Sequence, residues 1–104
     1  MPFSVERWSK SETPDAKQLR GVLEDEGYSV FEWSDAPTTF YGPHAHDEDQ
    51  SHWIISGTLQ LTVADETYTL QSDDRDFLPA KTTHAAFVPG NKPVRYLIGA
   101  KKSR

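Results

Sequence analysis

Leu59, Leu61 and Val63 alternate with Gln60 and Thr62, the period-two pattern of a strand with one buried face. Similar alternation, bounded by turn residues, recurs along most of the chain. Phe3–Trp8 reads as a short strand. After Gly27, Tyr28, Val30 and Glu32 share one face while Phe31 and Trp33 share the other. Asp35-Ala36-Pro37 is a turn, and Thr38–His46 a strand with Phe40, Gly42, His44 and His46 on one face. An acidic loop, Asp47-Glu48-Asp49, leads to a strand over His52–Ser56 that ends at Gly57. Asp65-Glu66 makes a hairpin turn into Thr67–Leu70, and Ser72-Asp73-Asp74 is a further turn. The remaining strands are Asp76–Leu78, Thr83–Val88 and Val94–Ile98, separated by a bend at Pro79-Ala80-Lys81 and the turn cluster Pro89–Pro93.

One segment breaks this rhythm. Leu19, Val22 and Leu23 make an apolar stripe at helical spacing, so Ser11–Glu26 is expected to be a helix. Thr13 is the expected cap, Pro14 suits the first turn, Asp15 favours the positive end of the dipole, and Gly27 stops the helix. Gly21 in its interior predicts a short, weak helix. Seven or more short strands with one helix imply an all-β antiparallel sandwich or barrel. The expected organisation is an N-terminal strand and helix over 1–27, a barrel over 28–100 and a basic tail over 101–104, where Lys101, Lys102 and Arg104 read as a solvated end.

Composition narrows the partners. A length of 104 residues, 36% hydrophobic and 12% aromatic, fits one folded domain. A formal charge of −5 speaks against nucleic acid or an anionic membrane surface. The absence of cysteine removes disulfides and thiolate ligands. Met1–Lys10 has no apolar core of signal-peptide length, so the expected location is cytoplasmic.

The chemistry lies in the histidines. His44 and His46 point the same way on an extended strand, so one strand face offers two imidazole nitrogens. Gln50 supplies an oxygen donor four residues on, and His84 a third imidazole from a distant strand. Asp47, Glu48 or Asp49 are alternative oxygen donors. Such a set suits iron, copper, nickel or zinc, and its oxygen also admits manganese. Three imidazoles and an amide are neutral, so a bound divalent ion would keep its full charge and polarise a carbonyl strongly.

These residues resemble the cupin family of small jelly-roll barrels. Its first motif has glycine, five residues, His-x-His, three or four residues, glutamate, six residues and glycine. His44, His46 and Gly57 match; Gln50 takes the glutamate's place and Thr38 the leading glycine's. In the second motif Pro79 and His84 match, whereas Asp73 and Lys81 replace the two glycines and Val88 the asparagine. Residues 58–72 make the short spacer of a compact member, and the resemblance runs from Tyr28 to Ala100. It implies a jelly-roll barrel holding one divalent transition metal ion through His44, His46, Gln50 and His84. A set of three histidines and a glutamine also occurs in cupins that isomerise unsaturated sugar acids.

Other residues complete the expectations. His52 shares the face of Gln50 and is a partner that orients a metal ligand, a candidate acid/base or a barrel-lining residue. Phe40, Ile54 and Leu61 are expected in the cavity, and only one of Arg95 and Tyr96 can point inward. Trp8, Trp33 and Trp53 are expected to cover the outer face or a dimer contact. A homodimer is expected, with the N-terminal strand available to a partner's sheet. The expected activity is isomerase or lyase chemistry on a small sugar acid or keto acid, or dioxygenation with iron. The alternative is a small-ligand-binding module without catalysis.

Overall fold

The computed structural model describes residues 2–8 and 10–102. Nine strands and one helix run in the order β1 (Ser4–Glu6), α1 (Ala16–Asp25), β2 (Ser29–Asp35), β3 (Phe40–His44), β4 (Glu48–Ser56), β5 (Leu59–Val63), β6 (Glu66–Leu70), β7 (Arg75–Phe77), β8 (His84–Phe87) and β9 (Val94–Lys102). They form a five-stranded sheet, β1-β7-β4-β9-β2, facing a four-stranded sheet, β3-β8-β5-β6. Every pairing is antiparallel, the jelly-roll arrangement that the alternation implied.

Alternation places two cores on either side of the larger sheet. Ile54 of β4 and Tyr96 of β9 turn inward to meet Leu59, Leu61 and Leu70 of the smaller sheet, together with Val88 and Val94. Trp53 and Leu97, one position along, turn outward and pack with Leu19 and Leu23 of the helix and with Tyr28. The helix, not a partner chain, therefore covers Trp53. Trp8 lies beside it, with ring centroids 6.4 Å apart.

The helix begins later than the apolar stripe suggested. Asp15, not Thr13, is the cap, its carboxylate accepting from the Gln18 N–H at 2.7 Å, and Pro14 precedes the helix. Its end follows expectation. Gly27 has φ +96, its N–H donates to Glu24 O, and the Tyr28 N–H donates to Leu23 O, the paired bonds of a Schellman stop. Arg75 then ties this end to the sheet. It is 2% exposed, donates to both oxygens of Glu26 at 2.8 and 3.1 Å and to Ser51 Oγ, and lies over the Trp53 and Phe77 rings.

Other boundaries shift for local reasons. The β5–β6 turn is Ala64-Asp65, both at positive φ, which fits a two-residue hairpin. Glu48 and Asp49 belong to β4, where they pair with Lys102 and Lys101. The first two residues of the basic tail are thus strand residues; Arg104 lies outside the described residues. Lys101 also sits 4.3 Å from the Tyr28 ring centre and donates to Glu26 O.

The motif positions that lack glycine keep its backbone. Thr38, Asp73 and Lys81 have φ of 68°, 75° and 63°. The left-handed turns survive there at the expense of some strain in non-glycine residues.

Candidate metal centre

His44 and His84 face each other across the β3–β8 pair, and His46 follows just beyond the end of β3. The three ring centroids are 4.3, 4.8 and 5.1 Å apart. One ligand atom from each can lie within 4.8 Å of the others, and no carboxylate joins the group among the described residues.

Two rings are oriented for ligation. His44 Nδ1 lies 2.7 Å from Gly42 O, and His84 Nδ1 lies 2.9 Å from Thr82 O. A carbonyl only accepts, so Nδ1 carries the proton in each ring and Nε2 keeps its lone pair. Burial holds the His84 imidazole below the usual histidine range, and the neighbouring imidazoles act the same way, against a pull upward from the Thr82 bond. Burial, then His44 and His52, lower His46 likewise. Neutral imidazoles are the form a cation needs, so this donor set fits a divalent transition metal.

The group opens on a cavity of about 300 Å³ between the sheets. Gln50 lines it on the opposite wall, from β4. The acidic residues fall away as alternatives: Asp49 accepts from the Ala80 N–H at 2.8 Å and so braces the Pro79–Lys81 bend, while Asp47 and Glu48 are exposed.

His52 also lines the cavity. Its Nδ1 lies 2.9 Å from the fully buried carboxylate of Asp76, which also accepts from the His52 backbone N–H. Burial works against the charged imidazole, yet charge and hydrogen bond from Asp76 together hold His52 above its ordinary range. The sequence reading missed Asp76, because its partner lies on a strand that is not its chain neighbour.

The aromatic wall differs from expectation. Phe40 is 64% exposed and lies outside the cavity. The register of β3 shifts between Tyr41 and His44, a bulge at Gly42-Pro43 that lets both Tyr41 and His44 face inward. Proline inside a strand was the available signal. Phe31 and Trp33 line the cavity too, so Trp33 is not an outer-face residue. Leu61 lines the cavity as expected, whereas Ile54, also expected there, packs in the core and is not part of the lining. Of the last-strand pair, Tyr96 points inward and Arg95 pairs outside with Glu32 at 2.6 Å.

Asp35, buried at the end of β2, gathers this wall. One carboxylate oxygen accepts from the Tyr41 hydroxyl at 2.6 Å and the Trp33 indole N–H at 3.1 Å; the other accepts from the Tyr96 hydroxyl at 2.7 Å. Nothing in the local sequence announces this cluster.

Known proteins resemble part of the chain. It is 34% identical over 53 residues to mannose-1-phosphate guanylyltransferase RfbM of Salmonella typhimurium, covering 50% of this chain but only 11% of that enzyme. The polyketide cyclase RemF of Streptomyces resistomycificus superposes with a TM-score of 0.65 at 20% identity, over 78% of this chain and 61% of that one. The DMSP lyase DddQ of Ruegeria pomeroyi DSS-3 has a TM-score of 0.65 at 17% identity, over 73% and 39%. At these identities the structures share the fold alone. The cupin-domain model matches residues 31–98, from the cavity mouth on β2 to the inner face of β9. The chain belongs to the cupin-domain family.

Proposed function

We propose that the protein is a metal-dependent enzyme that moves a proton next to the carbonyl of a small keto acid. The observation that carries this reading is the convergence of His44, His46 and His84, with Nδ1 of two rings tied to main-chain carbonyls. A divalent ion held by these imidazoles and Gln50 supplies a Lewis acid to a carbonyl oxygen. Leu59, Leu61, Ala86 and Ile98 give the cavity an apolar lining. His52 acts as the acid/base: Asp76 fixes its Nδ1 proton, which leaves Nε2 to take and return a substrate proton. The lining favours a keto acid over a sugar acid, whose hydroxyls would find few partners there.

Deuterium uptake at the methyl carbon of pyruvate, followed by NMR in heavy water, tests this. The metal-loaded protein should accelerate exchange, and His52→Gln should slow it at least about 100-fold without loss of metal. Metal binding without accelerated exchange would point to the non-catalytic binding module. Oxygen uptake by the iron-loaded protein alone would point to dioxygenation.

We also propose a homodimer. β1 forms the outer edge of the five-stranded sheet, with one side of its backbone open to a second chain. Light scattering at micromolar concentration should give twice the mass of the 11.8 kDa chain; a monomer's mass would contradict this.

A further inference from the structure

Phe31 and Trp33 stand at alternate positions of β2, and their partners across the β2–β9 pair are Ile98 and Tyr96. With Tyr41 from the facing sheet they make one continuous panel of the cavity wall. Its polar hydrogens are already committed. The hydroxyls of Tyr41 and Tyr96 and the indole N–H of Trp33 all donate to Asp35. The Asp35 bond and then burial raise the Tyr41 hydroxyl's pKa, and burial and then the same carboxylate raise that of Tyr96, so both stay protonated and bound. What the panel offers a ligand is ring face and aliphatic surface.

The rest of the lining is as sparing. Among the described residues it contains no Lys, Arg, Asp, Glu, Ser or Thr; beyond the imidazoles, Gln50 is the remaining polar side chain outside the Asp35 cluster. A ligand hydroxyl buried against this wall would give up water and find no free donor in exchange, which is unfavourable. An aromatic ring loses nothing and gains offset or edge contacts. About 300 Å³ is at the small end for ligand cavities, with room for a single ring system. Phe31 and Trp33 remain 46% and 49% exposed, so the panel starts at the mouth and leads inward to the histidines.

We infer that the cavity selects a carbonyl compound that carries an aromatic ring. Its oxygen end meets the His44–His46–His84 group, and its ring lies against Phe31, Trp33, Tyr41 and Tyr96. Asp35 is a positioning residue that holds three of those four rings. The inference rests on the metal reading of the same cavity and adds the substrate class to it.

Calorimetric titration of the metal-loaded protein with phenylpyruvate and with 2-keto-3-deoxygluconate separates the two classes. Both carry the same keto-acid end, so only the remainder differs. Phenylpyruvate should bind at least about tenfold more tightly, the scale of one or two aromatic contacts. Trp33→Leu, at a half-exposed position, should erase most of that ratio and keep the metal content. Equal or tighter binding of the sugar acid, or an undiminished preference in Trp33→Leu, overturns the inference while the metal reading stands. If no metal loads, the same pair is titrated into the protein as purified. A phenylpyruvate preference lost in Trp33→Leu then supports the aromatic panel although the metal reading fails, and no preference overturns both.

Discussion

Replacing His84 by alanine should remove the bound transition metal and leave the barrel standing. His84 is 4% exposed and supplies one of three convergent nitrogens, so its loss leaves two imidazoles on a chain segment that ends just beyond β3. Removing an outer partner of a metal ligand typically costs 10–100-fold in affinity, and removing a ligand itself should exceed about 100-fold. The backbone pairing of β8 with Val63 and His44 does not depend on the side chain. Metal per chain by elemental analysis should therefore fall sharply while the far-ultraviolet dichroism keeps its strand signature. Thr82→Ala is the matched control. Its contribution to His84 is a main-chain carbonyl, so that variant should keep its metal.

A single methyl group at position 57 should act on stability instead. Gly57 has φ +84, and a Cβ there would lie 2.4 Å from Pro93 O and 2.9 Å from Val94 Cα. Both are backbone atoms at the start of β9, which cannot swing away as a flexible side chain would. Strain at that φ and overpacking together put the cost of Gly57→Ala at about 3 kcal/mol or more. A domain of this size holds roughly 5–15 kcal/mol in all. Gly21→Ala gives the contrast: nothing lies within 4 Å of its added Cβ, and helix propensity should raise stability by up to about 1 kcal/mol. Urea unfolding midpoints moving in opposite directions would support this account. A small effect at Gly57 would contradict the close approach of the β4–β5 turn to β9.

Local pattern carried much of this molecule. The alternation in Leu59–Val63 and along Val94–Ile98 set which side chains face inward, and the His-x-His spacing brought His44 and His46 together with a distant His84. Misreadings arose where one local device overrode the period. The bulge at Gly42-Pro43 exchanged Phe40 for Tyr41 at the cavity, and the Asp15 carboxylate outcompeted Thr13 as the cap. Thr38, Asp73 and Lys81 looked like departures from a motif, yet their positive φ shows that backbone shape outlasted the glycines. The least legible features were contacts between strands far apart in sequence. His52–Asp76 depends on the pairing of β4 with β7, and Tyr96–Asp35 on that of β2 with β9. Register between non-sequential strands is set by the whole sheet, so neither carboxylate could be assigned from its neighbours.

The central claim is that three imidazoles converge to hold an ion. Elemental analysis of protein purified without an affinity tag, before and after reconstitution with iron, manganese, nickel or zinc, tests it most directly. About one transition metal ion per chain, lost in His46→Ala while the fold persists, is the predicted result. A wild-type protein that takes up none of the four, or a His46→Ala variant that keeps its full complement, would contradict it.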